Sequence, residues 1–154
     1  MNFNTGRDMV VDYINTDPAT EPRFWFLIDI RMGREVGSAL LGPSPDNVFV
    51  APRVEWVLDR ILESLDWHCR NIALTSDSIL NACRGLRFAK AREWGSKMDG
   101  GAWVIGCYGK HDVVVDLAMG GRRSKTDLPQ DQAMEFLDVV QAEVKECRSK
   151  FTPI

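Results

Sequence analysis

The sequence predicts an all-α protein, a bundle of about five helices behind an irregular N-terminal lead-in. Three observations predict it. Apolar residues recur at helical spacing over Arg53 to Cys69, from Ser78 onwards, and over Pro129 to Lys150. Turn-forming pairs, Gly42-Pro43 and Gly120-Gly121, fall between periodic segments. The chain, 154 residues and 45% hydrophobic, can bury one core and so makes one domain. The expected division is 1–22 as lead-in or linker remnant and 23–154 as the helical domain.

Met1 to Pro22 is polar and punctuated by Asn15-Thr16-Asp17-Pro18, with a short amphipathic piece around Met9, Val10, Tyr13 and Ile14. Phe24 to Val36 reads two ways. Its aromatic and branched residues suit a strand, whereas its length and later charges suit a helix ending at Gly37. Leu40-Leu41-Gly42-Pro43 forms a compact apolar turn, and a proline-rich connector runs to Pro52. Arg53 to Cys69 is an amphipathic helix with Val54, Val57, Leu58, Ile61, Leu62 and Leu65 on its apolar stripe. Ser76 or Asp77 caps the next helix. Shorter helices follow at Asp99 to Cys107 and Asp112 to Met119. The last, Pro129 to Lys150, buries Ala133, Phe136, Leu137, Val140, Val144 and Cys147.

Net charge is −3, which argues against a general nucleic-acid binder. No apolar run reaches membrane-spanning length, and MNFNTGRD lacks the apolar core of a signal peptide. A soluble cytoplasmic protein is the expectation. Cys69, Cys83, Cys107 and Cys147 have no metal-clamp spacing with one another or with His68 and His111. Reduced cysteines in the core are expected, with neither disulfide nor metal.

The stretch Ser78 to Trp103 organises the rest. It reads as a buried helix with Arg84 and Arg87 breaking its apolar run, a stop at Trp94-Gly95, and a restart after Ser96-Lys97 with Asp99 in the first turn. A restarting helix presents unpaired N–H groups beside a lysine, a place to hold an anion. Its pattern, LNxCRxL, then thirteen residues from Arg84 to Lys97, then SKxxGGxW, resembles the helical C-terminal domain of the streptomycin/spectinomycin adenylyltransferases. The REVGSALLGPSP and VVVDLAMGGRR runs agree, so the resemblance covers roughly Asp29 to Arg148. It favours helix over strand at Phe24 to Val36.

The resemblance implies a bundle packed beside a nucleotidyltransferase domain, with ATP and the antibiotic between them. It implies that Arg84, Ser96 and Lys97 contact ATP phosphates, and that Trp67 and Asp77 contact a cationic aminoglycoside. The plainer alternative makes Lys97 a solvated turn residue, Arg84 an arginine reaching out from the core edge, Trp67 a cover on the core, and Asp77 a helix cap. Gly37-Ser38 with Gly42 is similar to the opening of the family's catalytic motif, but no Asp-x-Asp pair follows to hold Mg²⁺. The expectation is therefore no catalytic residue and no metal ligand in this chain. ATP and Mg²⁺ act only if a nucleotidyltransferase domain or chain is supplied separately. Arg60 and His68 are too far apart for the Arg–His pair of helical ribonucleases. The alternative function is a non-catalytic module for a ligand or partner.

Overall fold

The computed structural model describes residues 2–4, 13–15, 24–70, 73–121 and 127–151. Within the lead-in, β1 (Asn2–Asn4) pairs antiparallel with β2 (Tyr13–Asn15), Phe3 opposite Ile14. Met9 and Val10 lie outside the described residues, as do Asn71, Ile72 and the Arg122-Arg123 run. Among the described residues seven α-helices make the body: α1 (Phe24–Val36), α2 (Pro45–Val48), α3 (Val54–Cys69), α4 (Ser76–Ala91), α5 (Lys97–Val104), α6 (Asp112–Gly121) and α7 (Gln130–Ser149). Only α2, a single turn, was not anticipated. The bundle is the all-α fold that the apolar periodicity requires.

Phe24 to Val36 is helix because its burial follows a period near four, not two. Phe24 and Ile28 enter the core, while Arg31 pairs with Glu35 one turn on. The chain then leaves the body: Leu40 and Leu41 are fully exposed, so the apolar turn packs on nothing. The stripe on α3 behaves as its spacing predicts, with Val57, Leu58, Ile61 and Leu65 buried.

Helix α4 is the centre, packing against α3, α5, α6 and α7. Its cap is Thr75, not Ser76 or Asp77. The Thr75 hydroxyl accepts from the Ser78 N–H, and the Ser78 hydroxyl accepts from the Thr75 N–H. The pair satisfies two donors at once, which neither neighbour in the first turn could do. The helix ends on Arg92 in left-handed geometry, φ 62°.

Two glycines let helices approach closely. A Cβ on Gly85 would lie 2.9 Å from Ile61 Cγ2, so α3 and α4 need a bare backbone there. A Cβ on Gly100 would lie 2.8 Å from the Arg84 backbone nitrogen, which seats α5 directly on α4. That second contact brings Lys97, one turn earlier, towards the arginine side of α4.

Of the cysteines, Cys83 and Cys147 are buried, Cys69 is half-buried and Cys107 is exposed. Burial pushes the Cys83 thiol up to about 12, so it stays protonated in the core. The exposure of Cys107 departs from expectation. Its helix ends at Val104, and a turn with Gly106 at φ 83° carries the cysteine outward. No helix among the described residues is long and apolar enough to cross a membrane.

Candidate functional site

Asp77, Asn81 and Arg84 stand four and three residues apart on α4, along one face. Ser64 and His68 share the facing stripe of α3, and Trp94 closes the far end from the link between α4 and α5. With Trp25 and Ile28 of α1, the residues Ser64, His68, Asn81, Arg84 and Trp94 line a half-open cleft, whose empty space is about 330 Å³ counted out into open solvent; Asp77 lies outside the lining. Ile61 and Leu65 supply its apolar floor.

Arg84 is held on the wall by neutral partners. Its Nη2 donates to Asn81 Oδ1 at 3.0 Å and its Nη1 to Met32 Sδ at 3.3 Å. Burial makes the guanidinium somewhat easier to deprotonate, and the charges of Asp29 and Asp77 oppose that. No carboxylate among the described residues forms an ion pair with it at contact distance.

Lys97 sits outside the lining but at the same end of the bundle. Its Nζ donates to Asp77 Oδ1 at 2.9 Å. Asp77 therefore bonds Lys97 directly and acts electrostatically on Arg84. His68 feels both members of that pair. Burial lowers its pKa first, the charge of Lys97 lowers it further, and Asp77 partly offsets them. The imidazole is thus neutral at pH 7, buried to 8% exposure, with no hydrogen-bond partner for Nε2 among the described residues.

The structure brings Arg84, Lys97, Asp77 and Trp67 to one end of the bundle. Trp67 is half-exposed, edge-on to His68 at 4.9 Å and 6.2 Å from Phe24. Ser96 is engaged otherwise. Its hydroxyl accepts from the Asp99 N–H at 3.1 Å, and its own N–H donates to Asp99 Oδ2 at 2.8 Å. The Asp99 carboxylate thereby occupies the start of α5 where an anion was expected, because a capping box satisfies those donors from within the chain.

Scanned against protein-family models, the chain matches none, and a search of curated proteins finds no match either.

Trp25, Asn81 and Trp94 line the cleft but are given no site role in the sequence reading, where Asn81 enters only within the LNxCRxL pattern and Trp94 only as the end of a helix. His68 enters there only as a residue mis-spaced for a metal clamp and for a nuclease pair. One signal for it was present, since Ile61, Ser64, Leu65 and His68 follow the core spacing of α3. Asn81 could have been found likewise, midway between Asp77 and Arg84. Trp94 is reached by a loop, where spacing carries no such information. His111, by contrast, is buried on another part of the bundle against Phe136, at 5.7 Å. Among the described residues no three metal-ligating side chains gather.

Proposed function

We propose that this chain is the ATP- and antibiotic-contacting helical domain of an aminoglycoside nucleotidyltransferase system. In it Arg84 and Lys97 meet phosphate oxygens, while Trp67 and Asp77 meet the aminoglycoside. One observation supports this most: Asp77 bonds Lys97 directly and also bears on the charge of Arg84. Two cations and an acid so close together suit a site where an anionic and a cationic substrate must meet. The phosphate would compete with Asp77 for Lys97, and an ammonium group would bind at the Asp77 carboxylate.

The chain does not carry the chemistry alone. Adenylyl transfer needs Mg²⁺ on the phosphates, and no Asp-x-Asp pair occurs anywhere in the sequence. Arg84 and Lys97 can hold phosphate oxygens but cannot take the place of that pair. The metal-binding acids belong to a separately supplied domain, and no step is assigned to Mg²⁺ here.

The test is reconstitution. The chain is mixed with ATP, Mg²⁺ and streptomycin or spectinomycin, with and without a nucleotidyltransferase domain of that family. Pyrophosphate release is expected only in the joint reaction, with Lys97→Ala weakening ATP use by roughly 1–3 kcal/mol, the worth of a charged hydrogen bond. A joint reaction no faster than the added domain alone would remove the proposal. The cleft itself favours a second reading, a non-catalytic ligand-binding module, because its lining residues include polar groups without a hydrogen-bond partner among the described residues.

A further inference from the structure

The two cations at this end of the bundle are held in opposite ways. Lys97 is matched to an acid, its Nζ donating to Asp77 Oδ1 at 2.9 Å. Arg84 is not. Its Nη2 donates to the Asn81 amide oxygen at 3.0 Å and its Nη1 to Met32 Sδ at 3.3 Å. Both acceptors are uncharged, although Asp29 and Asp77 are near enough for their charges to act on the guanidinium. A charge withdrawn from water is ordinarily offset by an opposite charge in contact with it. Here an amide takes that place.

Each end of the Arg84 side chain is fixed. At the base, Gly100 of α5 lies against its backbone, where a Cβ would stand 2.8 Å from the Arg84 nitrogen. At the head, the guanidinium bridges two helices, with Asn81 one turn back on α4 and Met32 across on α1. A guanidinium only donates, so the amide must turn its oxygen towards it. Thioether sulfur is a weak acceptor, which makes Asn81 the stronger hold. The two bonds use two of the five N–H donors and none of the charge. A fixed fork with spare donors and an unmatched charge suits phosphate oxygens, which it can meet two at a time.

We propose that Asn81 is the positioning residue of this phosphate site: its amide oxygen aims the Arg84 guanidinium and, being uncharged, leaves that charge for the ligand. This rests on the reading of Arg84 as a phosphate contact and names the residue that makes it one. It also accounts for the side-chain type at position 81. An aspartate there would keep the shape and the acceptor but neutralise the arginine. An alanine would keep the charge and lose the aim.

The test uses the full chain and inorganic tripolyphosphate, followed by calorimetry and by the Arg84 guanidinium resonances. In the wild type, saturation should move the Arg84 Nε–H signal. Asn81→Asp should melt close to wild type yet bind at least about tenfold more weakly, because a charge-assisted pair must first be broken. Asn81→Ala should bind about three- to tenfold more weakly, the worth of one neutral hydrogen bond. Without ligand, the two Arg84 Nη groups should give separate signals in the wild type and merged ones in Asn81→Ala. That comparison decides even if the aspartate variant fails to fold, since unmerged signals would overturn the proposal. Equal affinities in all three chains, with the Arg84 signal moving in each, would overturn the role of Asn81 and leave Arg84 a phosphate contact. No binding to the wild type, or binding with Arg84 unmoved, would remove the phosphate contact itself and the role of Asn81 with it.

Discussion

His68 shows how one buried side chain can report on its surroundings. Its pKa in the folded state lies below the ordinary 6.5, chiefly through burial. The unfolded chain therefore takes up a proton more readily than the native one. Stability is full above about pH 6.5 and is lost as pH falls from there through the lower native pKa. The melting temperature should drop between pH 7.5 and 5.5, and His68→Gln should lose much of that drop. A variant with an unchanged profile would place the acid sensitivity elsewhere. Lys97 gives the complementary case. Its partner Asp77 is largely exposed, so Lys97→Ala should cost less than about 1 kcal/mol of stability. Thermal unfolding checks this, and a variant that no longer folds would make Lys97 structural rather than ligand-binding.

Among the elements, α4 gathers the specific determinants, and two substitutions probe them. Thr75→Ala removes one hydroxyl of the reciprocal cap and should cost about 1 kcal/mol, measured by denaturant unfolding. The same change at Ser76 should cost little, because Ser76 is not the cap. Gly100→Ala forces a methyl group to within 2.8 Å of the α4 backbone, which cannot yield as a side chain can. A loss of about 1–3 kcal/mol is expected, as for an overpacked core. These contrasts show where the sequence was legible. The stripes on α3, α4 and α7 announced themselves, because an apolar period of 3.6 has one structural meaning in a long segment. The cap did not. Thr75, Ser76 and Asp77 are all good capping residues, and only the backbone geometry chooses among them. The partners of a charge were equally hidden: Lys97 and Asp77 are twenty residues apart, and nothing local pairs them. Arg84 was visible as a cation in an apolar run, but its neutral partner Met32 lies fifty-two residues away.

At the scale of the whole molecule, the helices are not held equally. Helix α4 packs against four others, whereas the main packing of α1 is on α3, with α2 beside it. The hold on α1 comes from Phe24 and Ile28 in the core, helped by Arg31 Nη1 donating to the Pro52 carbonyl at 3.1 Å. Beyond it Leu40, Leu41 and Val50 stand in solvent and add nothing to the attachment. Such a peripheral helix is expected to open below the cost of global unfolding. Amide hydrogen exchange should find α1 exchanging before α4 and α7. Phe24→Ala, which deletes a ring 1% exposed, should speed exchange in α1 far more than in α4. The same change should leave the helical circular dichroism of the remaining body unaltered. If α1 and α4 lose protection together in wild type and variant alike, the bundle is one cooperative unit. The cleft would then have no wall able to move independently of its core.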